Sequence, residues 1–255
     1  MDRVPGRLLK HGFFEAAPEH VAPRLLGKVL VHKTRGGMLA GRIVEVEAYL
    51  GPHRQPADPA AHAHRGPTPR NSVLFGPAGH AYIYAIYGRY FCMNISCERE
   101  GRAGCVLLRA LEPVAGLVQM ARNRGLVGAP QEKNNRRSFD SVPLARDLAQ
   151  DDKRRLNPQK FIECGAALRL LTSGPGRLCQ AMGLERERHN GIDLLDANSP
   201  LQVRDDGTRV ERVLVTRRIG IWHAVELPLR FAIPGNACVS GPRTIVGKCI
   251  VLRSG

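Results

Sequence analysis

The sequence predicts an α+β fold, a single mixed domain in which short strands dominate and helices are few and brief. Three observations carry this. Strand-like runs follow one another through hairpin turns, without the strand–helix–strand alternation that builds a parallel sheet. The 255 residues include 27 glycines and 18 prolines, which interrupt the chain often and favour short elements. With 43% hydrophobic residues the chain supports one sizeable core, so residues 1–255 are read as one domain carrying an insertion at about 124–171.

The elements follow in order. Residues 9–27 read as short helices, with Pro18 and Pro23 suited to first turns and Gly27 to a stop. Lys28 to Lys33 is a strand, Gly36-Gly37 a hairpin turn, and Met38 to Tyr49 a second strand. In that second strand Glu45 and Glu47 alternate with Val44, Val46 and Ala48, so a period of two places both carboxylates on one face. Residues 50–80 form a long loop rich in Pro, Gly and His, and loops of that length in a compact domain are usually functional. Residues 81–97 read as an aromatic hairpin around Gly88, and 103–112 as another strand. Pro113 is expected to open a helix at 114–123.

The stretch 124–171 has weak apolar periodicity and clustered charges, with helical character expected only at 143–150 and 159–171. A further helix starts near Ser173-Gly174-Pro175, with Ser173 as its N-cap. Residues 208–233 read as two strands joined by Gly220-Ile221-Trp222-His223.

Charge narrows the function. Lys and Arg number 38 against 23 Asp and Glu, a net +15, and only seven of the cations are lysines. Such an excess favours a polyanionic partner, because each neutralised phosphate releases counterions, and arginine binds phosphate through two donors at once. A composition bias toward arginine is the bland alternative. The seven cysteines show no C-x-x-C spacing, and the N-terminus lacks the apolar stretch of a signal peptide. Reduced, mostly buried thiols and a cytoplasmic protein are expected, associated with the nucleoid in a bacterial cell or nuclear in a eukaryotic one. No apolar run is long enough to span a bilayer, so no membrane partner is expected.

All five tyrosines fall between residues 49 and 90, four of them in Tyr82 to Tyr90. They read either as a hairpin packed on the core or as a surface on which bases stack, each stack being worth ~1–3 kcal/mol. Tyr82 and Tyr84 share a face, whereas Tyr87 stands at the tip beside Arg89, placed to wedge into a duplex while the cation meets phosphate. Glu45 and Glu47 read either as a solvated face or as a source of one general base, and alternation cannot say which of the two is buried. His62, His64 and the cysteines at 92–105 raise the question of zinc. The H-x-E plus P-C-x-x-C pattern of zinc deaminases and the H-E-x-x-H pattern are both missing, so no metal is expected. Without a Walker motif or a strand-bound G-x-G-x-x-G, no nucleotide cofactor is expected either.

Several long blocks, in order, resemble the alkyladenine (3-methyladenine) DNA glycosylase family. They are Arg42–Gly51, Asp58–His62, Thr68–Asn71, Tyr82–Gly88, Phe91–Asn94, Val106–Pro113, Ser173–Gly183, Arg218–Ile221 and Pro228–Phe231. The likeness covers about residues 12–124 and 172–240. It implies a curved antiparallel sheet with a hairpin that enters the minor groove, and a cofactor-free enzyme acting as a monomer on double-stranded DNA containing damaged purines. Glu47 then matches the base that activates water, and Arg109 the arginine that helps hold it. Tyr49, His62 and Tyr84 match residues that sandwich the extruded base. Asn94 matches a pocket residue that disfavours a guanine 2-amino group, Ile219 one whose backbone positions the water, and Tyr87 the side chain that fills the vacated stack. Arg70, Arg89 and Arg218 are candidates for the DNA backbone. Three departures stand out: a longer 124–171, an extended loop at 52–57, and Arg89 where an apolar residue is usual. The implied substrates are 3-methyladenine, hypoxanthine and ethenoadenine, released by hydrolysis without lyase activity. A non-catalytic binder of damaged DNA and a formyltransferase-like domain are the competing readings.

Overall fold

A computed structural model describes residues 6–55, 57–88, 90–127, 165–242 and 247–252. Its framework is one open antiparallel sheet, with short helices against part of it. The strands are β1 (Arg7–Leu8), β2 (Val29–Thr34), β3 (Gly37–Tyr49), β4 (Ala81–Ile86), β5 (Tyr90–Cys97), β6 (Gly104–Ala115), β7 (Leu201–Asp205), β8 (Arg212–Thr216), β9 (Arg230–Ala232) and β10 (Lys248–Val251). The main path runs β1-β7-β2-β3-β6-β5-β4, and β9, β8 and β10 branch from it at β3.

The branch has a local cause. β3 is long enough to serve two partners in succession: its residues 37–42 pair with β2, and Glu45, Val46 and Glu47 pair with β9. Its contacts with β6 run from Ala40 to Tyr49 with register shifts at three places, two of them flanking Glu45. Such irregularities bend a strand and re-aim its side chains. Around the third of these shifts Glu45 pairs with Ala110 and Val46 with Leu108, which leaves Arg109 without a partner in the ladder.

Alternation sends one set of strand residues to the main core. Val46, Ala48, Ile83, Met93, Ile95, Val106, Leu108 and Phe231 all point there. The cover comes from α1 (Pro18–Leu25), α2 (Leu117–Asn123), α3 (Gly165–Thr172) and α4 (Pro175–Met182). α1 buries Val21, Ala22 and Leu25, and α4 buries Leu178, Cys179, Ala181 and Met182. α4 ends at Gly183, whose φ of 66° is the left-handed conformation that lets Leu184 N–H reach back to the Cys179 carbonyl. A single turn, α5 (Arg186–His189), follows. The opposite face of β3–β6 lies under the loop of residues 50–80, where Ala63 and Leu74 pack with Tyr82 and Cys105.

The α+β class and the strands of residues 28–112 agree with the sequence expectation. Other details differ. Pro113 does not open a helix: β6 continues to Ala115, with Pro113 tolerated opposite Gly41 at a register shift, and α2 begins after Gly116. Ser173 is not the cap of α4, because Gly174 takes that place while Ser173 bridges to Ala110. The strands expected within 208–233 are shorter than read, with residues 217–229 looping between β8 and β9. β1, β7 and β10 were not anticipated. Of the stretch 124–171, residues 128–164 lie outside the described residues, as does the helix expected at 143–150. No helix among the described residues is long and apolar enough to cross a membrane.

Candidate active site

Directly paired residues of an antiparallel sheet point to the same face. One such row crosses five strands: Tyr82 pairs with Asn94, Asn94 with Leu107, Leu107 with Glu47, and Glu47 with Arg230. Two residues along, Tyr84 pairs with Cys92, and Tyr49 with Cys105. The face opposite the main core therefore gathers both glutamates, three tyrosines and Asn94.

Glu45 and Glu47 are both fully buried, so neither belongs to a solvated face. Their partners differ. Glu45 Oε1 accepts from Arg109 Nε at 2.9 Å, Arg230 Nε at 2.7 Å and Ser240 Oγ at 2.8 Å, while its Oε2 accepts from the Ser240 N–H at 2.6 Å. That makes four protein donors, equal in number to the lone-pair sites of a carboxylate. Glu47 Oε1 accepts from the Ile219 N–H at 2.7 Å and lies 3.2 Å from Arg109 Nη1. Its Oε2 accepts from the Tyr49 hydroxyl at 3.0 Å, the one donor to that oxygen among the described residues. A carboxylate oxygen has two lone pairs, so Glu47 Oε2 retains capacity for one more hydrogen bond.

Arg109 joins the two carboxylates from its place in the register shift. It donates to Glu45 and lies beside Glu47, and it also donates to Ser240 Oγ at 3.2 Å and to the Ile219 carbonyl at 3.4 Å. Burial opposes its charge, but Glu47 and Glu45 outweigh that and raise its pKa further. Tyr49 is driven up by burial and by Glu47, so it stays a phenol and donates.

Arg218 departs from expectation. It is not at the DNA backbone but buried, donating to Asp58 Oδ2 at 2.7 Å and Oδ1 at 2.8 Å. Its guanidinium also covers one face of the Tyr49 ring at 4.6 Å. Asp58 in turn accepts from the Leu50 N–H, which ties the long loop to the end of β3. Spacing gave no sign of the Arg218–Asp58 pair, nor of Arg230 and Ser240, because those residues come from segments 160 or more positions away from their carboxylate partners.

The remaining aromatic residues assemble as one wall. Tyr82 and Tyr84 stack with ring centroids 5.5 Å apart, and His62 lies edge-on to Tyr84 at 4.3 Å, with its Nδ1 3.0 Å from the Tyr82 hydroxyl. Partial burial and the nearby Arg70 hold His62 below its ordinary pKa, which favours the neutral ring at pH 7. Tyr84 is driven up by burial and then by Cys92, whose thiol burial pushes up to about 11. Asn94 is buried, with Cys105 Sγ 3.6 Å from its Oδ1. Arg70 is exposed at the rim, near Tyr82 and His62. Ile219 is 36% exposed, and its backbone N–H and carbonyl both serve the cluster.

At the far end of the β4–β5 hairpin Tyr87 is 91% exposed, with φ at 49°. A bulky residue in the left-handed region, projecting into solvent, is strained, and such strain concentrates at functional sites. Arg89 lies outside the described residues. No group of three or more His, Cys, Asp or Glu side chains among the described residues is arranged to hold a metal ion.

Comparisons with known proteins place the chain in a family. The family model described as methylpurine-DNA glycosylase matches residues 12–237. The chain belongs to the methylpurine-DNA glycosylase family. A relative from Koribacter versatilis, named "Putative 3-methyladenine DNA glycosylase", is 43% identical over 92% of this chain and 94% of its own length. Relatives of the same name from Burkholderia lata and Methanoculleus marisnigri are 39% and 41% identical, over 95% and 91% of this chain and 95% and 98% of their own lengths. The buried Glu45–Arg109–Glu47 cluster and the exposed Tyr87 are thus features of a member of a DNA-repair glycosylase family.

Proposed function

We propose that the protein is a base-excision glycosylase that extrudes a damaged purine from double-stranded DNA and hydrolyses its N-glycosidic bond with a water held by Glu47. The observation that carries this reading is the difference between the two glutamates. Glu45 receives four protein donors, whereas Glu47 receives three and keeps an acceptor site on Oε2.

Tyr87 fills the space that the extruded nucleotide vacates. Extrusion costs a few kcal/mol, least for a weakly paired lesion, and so contributes selectivity. The base enters between Tyr49, backed by Arg218, and the wall of Tyr84 and His62. A cationic 3-methylpurine gains cation–π attraction there, and a neutral His62 adds no opposing charge. Asn94 crowds a 2-amino group. As the C1′–N bond breaks, its electron pair leaves with the base and positive charge grows on the sugar, facing the Glu47 carboxylate. Water bonds to C1′ and gives its proton to Glu47; a cationic 3-methylpurine departs as the neutral base, whereas a neutral lesion departs as its anion and takes up a proton from solvent, leaving an abasic site and the free base. The substrate class is 3-methyladenine, hypoxanthine and ethenoadenine. Lysine is missing from residues 34–132, so no amine of that region forms a Schiff base, and the enzyme hydrolyses without lyase activity, as a monomer and without cofactor.

The test is a hypoxanthine duplex treated with enzyme and then hot alkali. The wild-type protein yields a strand break at the lesion, and Glu47→Gln loses at least about a hundredfold in rate, the contribution of a positioned base, while still binding. Excision by Glu47→Gln at the wild-type rate would overturn the role of Glu47. No break with the wild type, despite tight binding, would make the protein a non-catalytic binder.

A further inference from the structure

Trp222 is the one tryptophan of the chain and is 94% exposed. A large aromatic side chain left wholly in water contributes nothing to folding, so its place invites a partner. It stands at the tip of the loop between β8 and β9, and that loop is pinned on both sides of it. Before the tip, the Ile219 N–H binds Glu47 and the Ile219 carbonyl accepts from Arg109. After the tip, the Ala224 carbonyl accepts from the Arg218 guanidinium and from the Leu227 N–H. Three residues span at most about 11 Å, so the Trp222 backbone lies within roughly three nucleotide steps of the residue that touches Glu47. The neighbouring Arg217 and His223 are exposed, as are Ile219 and Val225.

We infer that Trp222 is a second aromatic DNA contact, stacking on a base of the damaged strand next to the extruded nucleotide. This rests on the DNA reading of the Glu47 site. A loop anchored at both ends leaves little backbone to order on binding, and an exposed aromatic ring accepts any base on its face, with Arg217 on the same loop available to a phosphate. The occupant is the DNA rather than a second protein, because a protein seated on this tip would lie across the approach to Glu47.

Because Trp222 is the only tryptophan, emission excited at the red edge of the absorption band, where tyrosine does not absorb, reports on this residue alone. Titration with a duplex carrying a tetrahydrofuran abasic analogue, followed in parallel by anisotropy of labelled DNA, is expected to quench the emission along the binding curve. Trp222→Ala should raise Kd about 5- to 150-fold, the loss of one base–aromatic stack, with Trp222→Phe restoring most of it. Single-turnover excision at saturating enzyme should stay near wild type. Binding with unchanged emission and a wild-type Kd for Trp222→Ala would overturn the contact while leaving the Glu47 reading intact. A slower excision rate with unchanged Kd would also overturn it, placing Trp222 in loop support. A complete lack of duplex binding by wild type would overturn both.

Discussion

Two glutamates two residues apart on one strand do different work because their donors differ. The Glu45 carboxylate receives two arginines and two groups of Ser240, and it is fully buried. Glu45→Gln would turn an NH₂ toward those donors and leave Arg109 and Arg230 undercompensated. The expected cost is about 3–5 kcal/mol, the range for breaking a buried ion pair from one side, read by urea unfolding. Glu47→Gln removes a carboxylate with fewer donors and leaves Arg109 still hydrogen-bonded to Glu45, so it should cost less than Glu45→Gln. Equal stability for both variants would refute this division of labour. Tyr87 carries the opposite balance, because its positive φ costs stability while the proposed function gives its exposed ring to the duplex. Tyr87→Gly should therefore gain about 1 kcal/mol by relieving the left-handed strain, while duplex affinity falls. A lower melting temperature together with unchanged affinity would contradict both halves. The alternation of residues 44–48 made the shared face of the glutamates legible. It could not reveal which carboxylate receives the fourth donor, because Ser240 and Arg230 reach Glu45 across nearly two hundred residues of chain, a separation that no local pattern encodes.

Elements were legible where their period was long enough to read. β2 to β6 declare themselves through runs of six to thirteen residues with turn glycines between them. β1 and β9 are two and three residues long and exist only because neighbours offer edges. Pro113 was misread because proline fits a helix start and a strand irregularity equally, and the actual break is left-handed Gly116. The joint between β2 and α5 was invisible altogether. There His32 Nδ1 lies 2.7 Å from the Met182 carbonyl and so donates, leaving Nε2 to accept. His189 Nδ1 accepts from the Glu185 N–H, so its Nε2 donates to His32 Nε2 at 3.2 Å. These tautomers are assigned from the network. Protonating His32 would set two N–H groups face to face. Burial, foremost, lowers both pKa values from 6.5. The unfolded chain thus binds protons that the fold refuses, and this contribution to stability, complete above pH 6.5, is lost progressively as pH falls below it. Melting temperature should drop between pH 7 and pH 5, with a shallower drop in His189→Gln. Identical profiles for the two proteins would remove the pair as the cause.

At the scale of the whole molecule, the buried cluster and the net charge are separate electrostatic systems. Arg109, Arg218 and Arg230 are matched inside by Glu45, Glu47 and Asp58, three charges against three, so the excess of +15 resides elsewhere in the chain. Charges open to solvent are screened by salt within about 8 Å at physiological strength, whereas buried pairs are screened far less. Binding and chemistry should therefore respond differently to salt. If six to ten phosphates are neutralised, affinity for duplex should fall about 10³- to 10⁵-fold between 50 and 200 mM salt, linearly on logarithmic axes. Single-turnover excision of hypoxanthine, measured with enzyme well above Kd at each salt concentration, should change little, because Arg109 and Tyr49 hold Glu47 out of reach of mobile ions. A flat binding slope would mean that the arginine excess does not serve the DNA. A bond-cleavage rate that fell in step with affinity would mean that the Glu47 cluster opens to solvent when the duplex binds, and the separation of the two systems would fail.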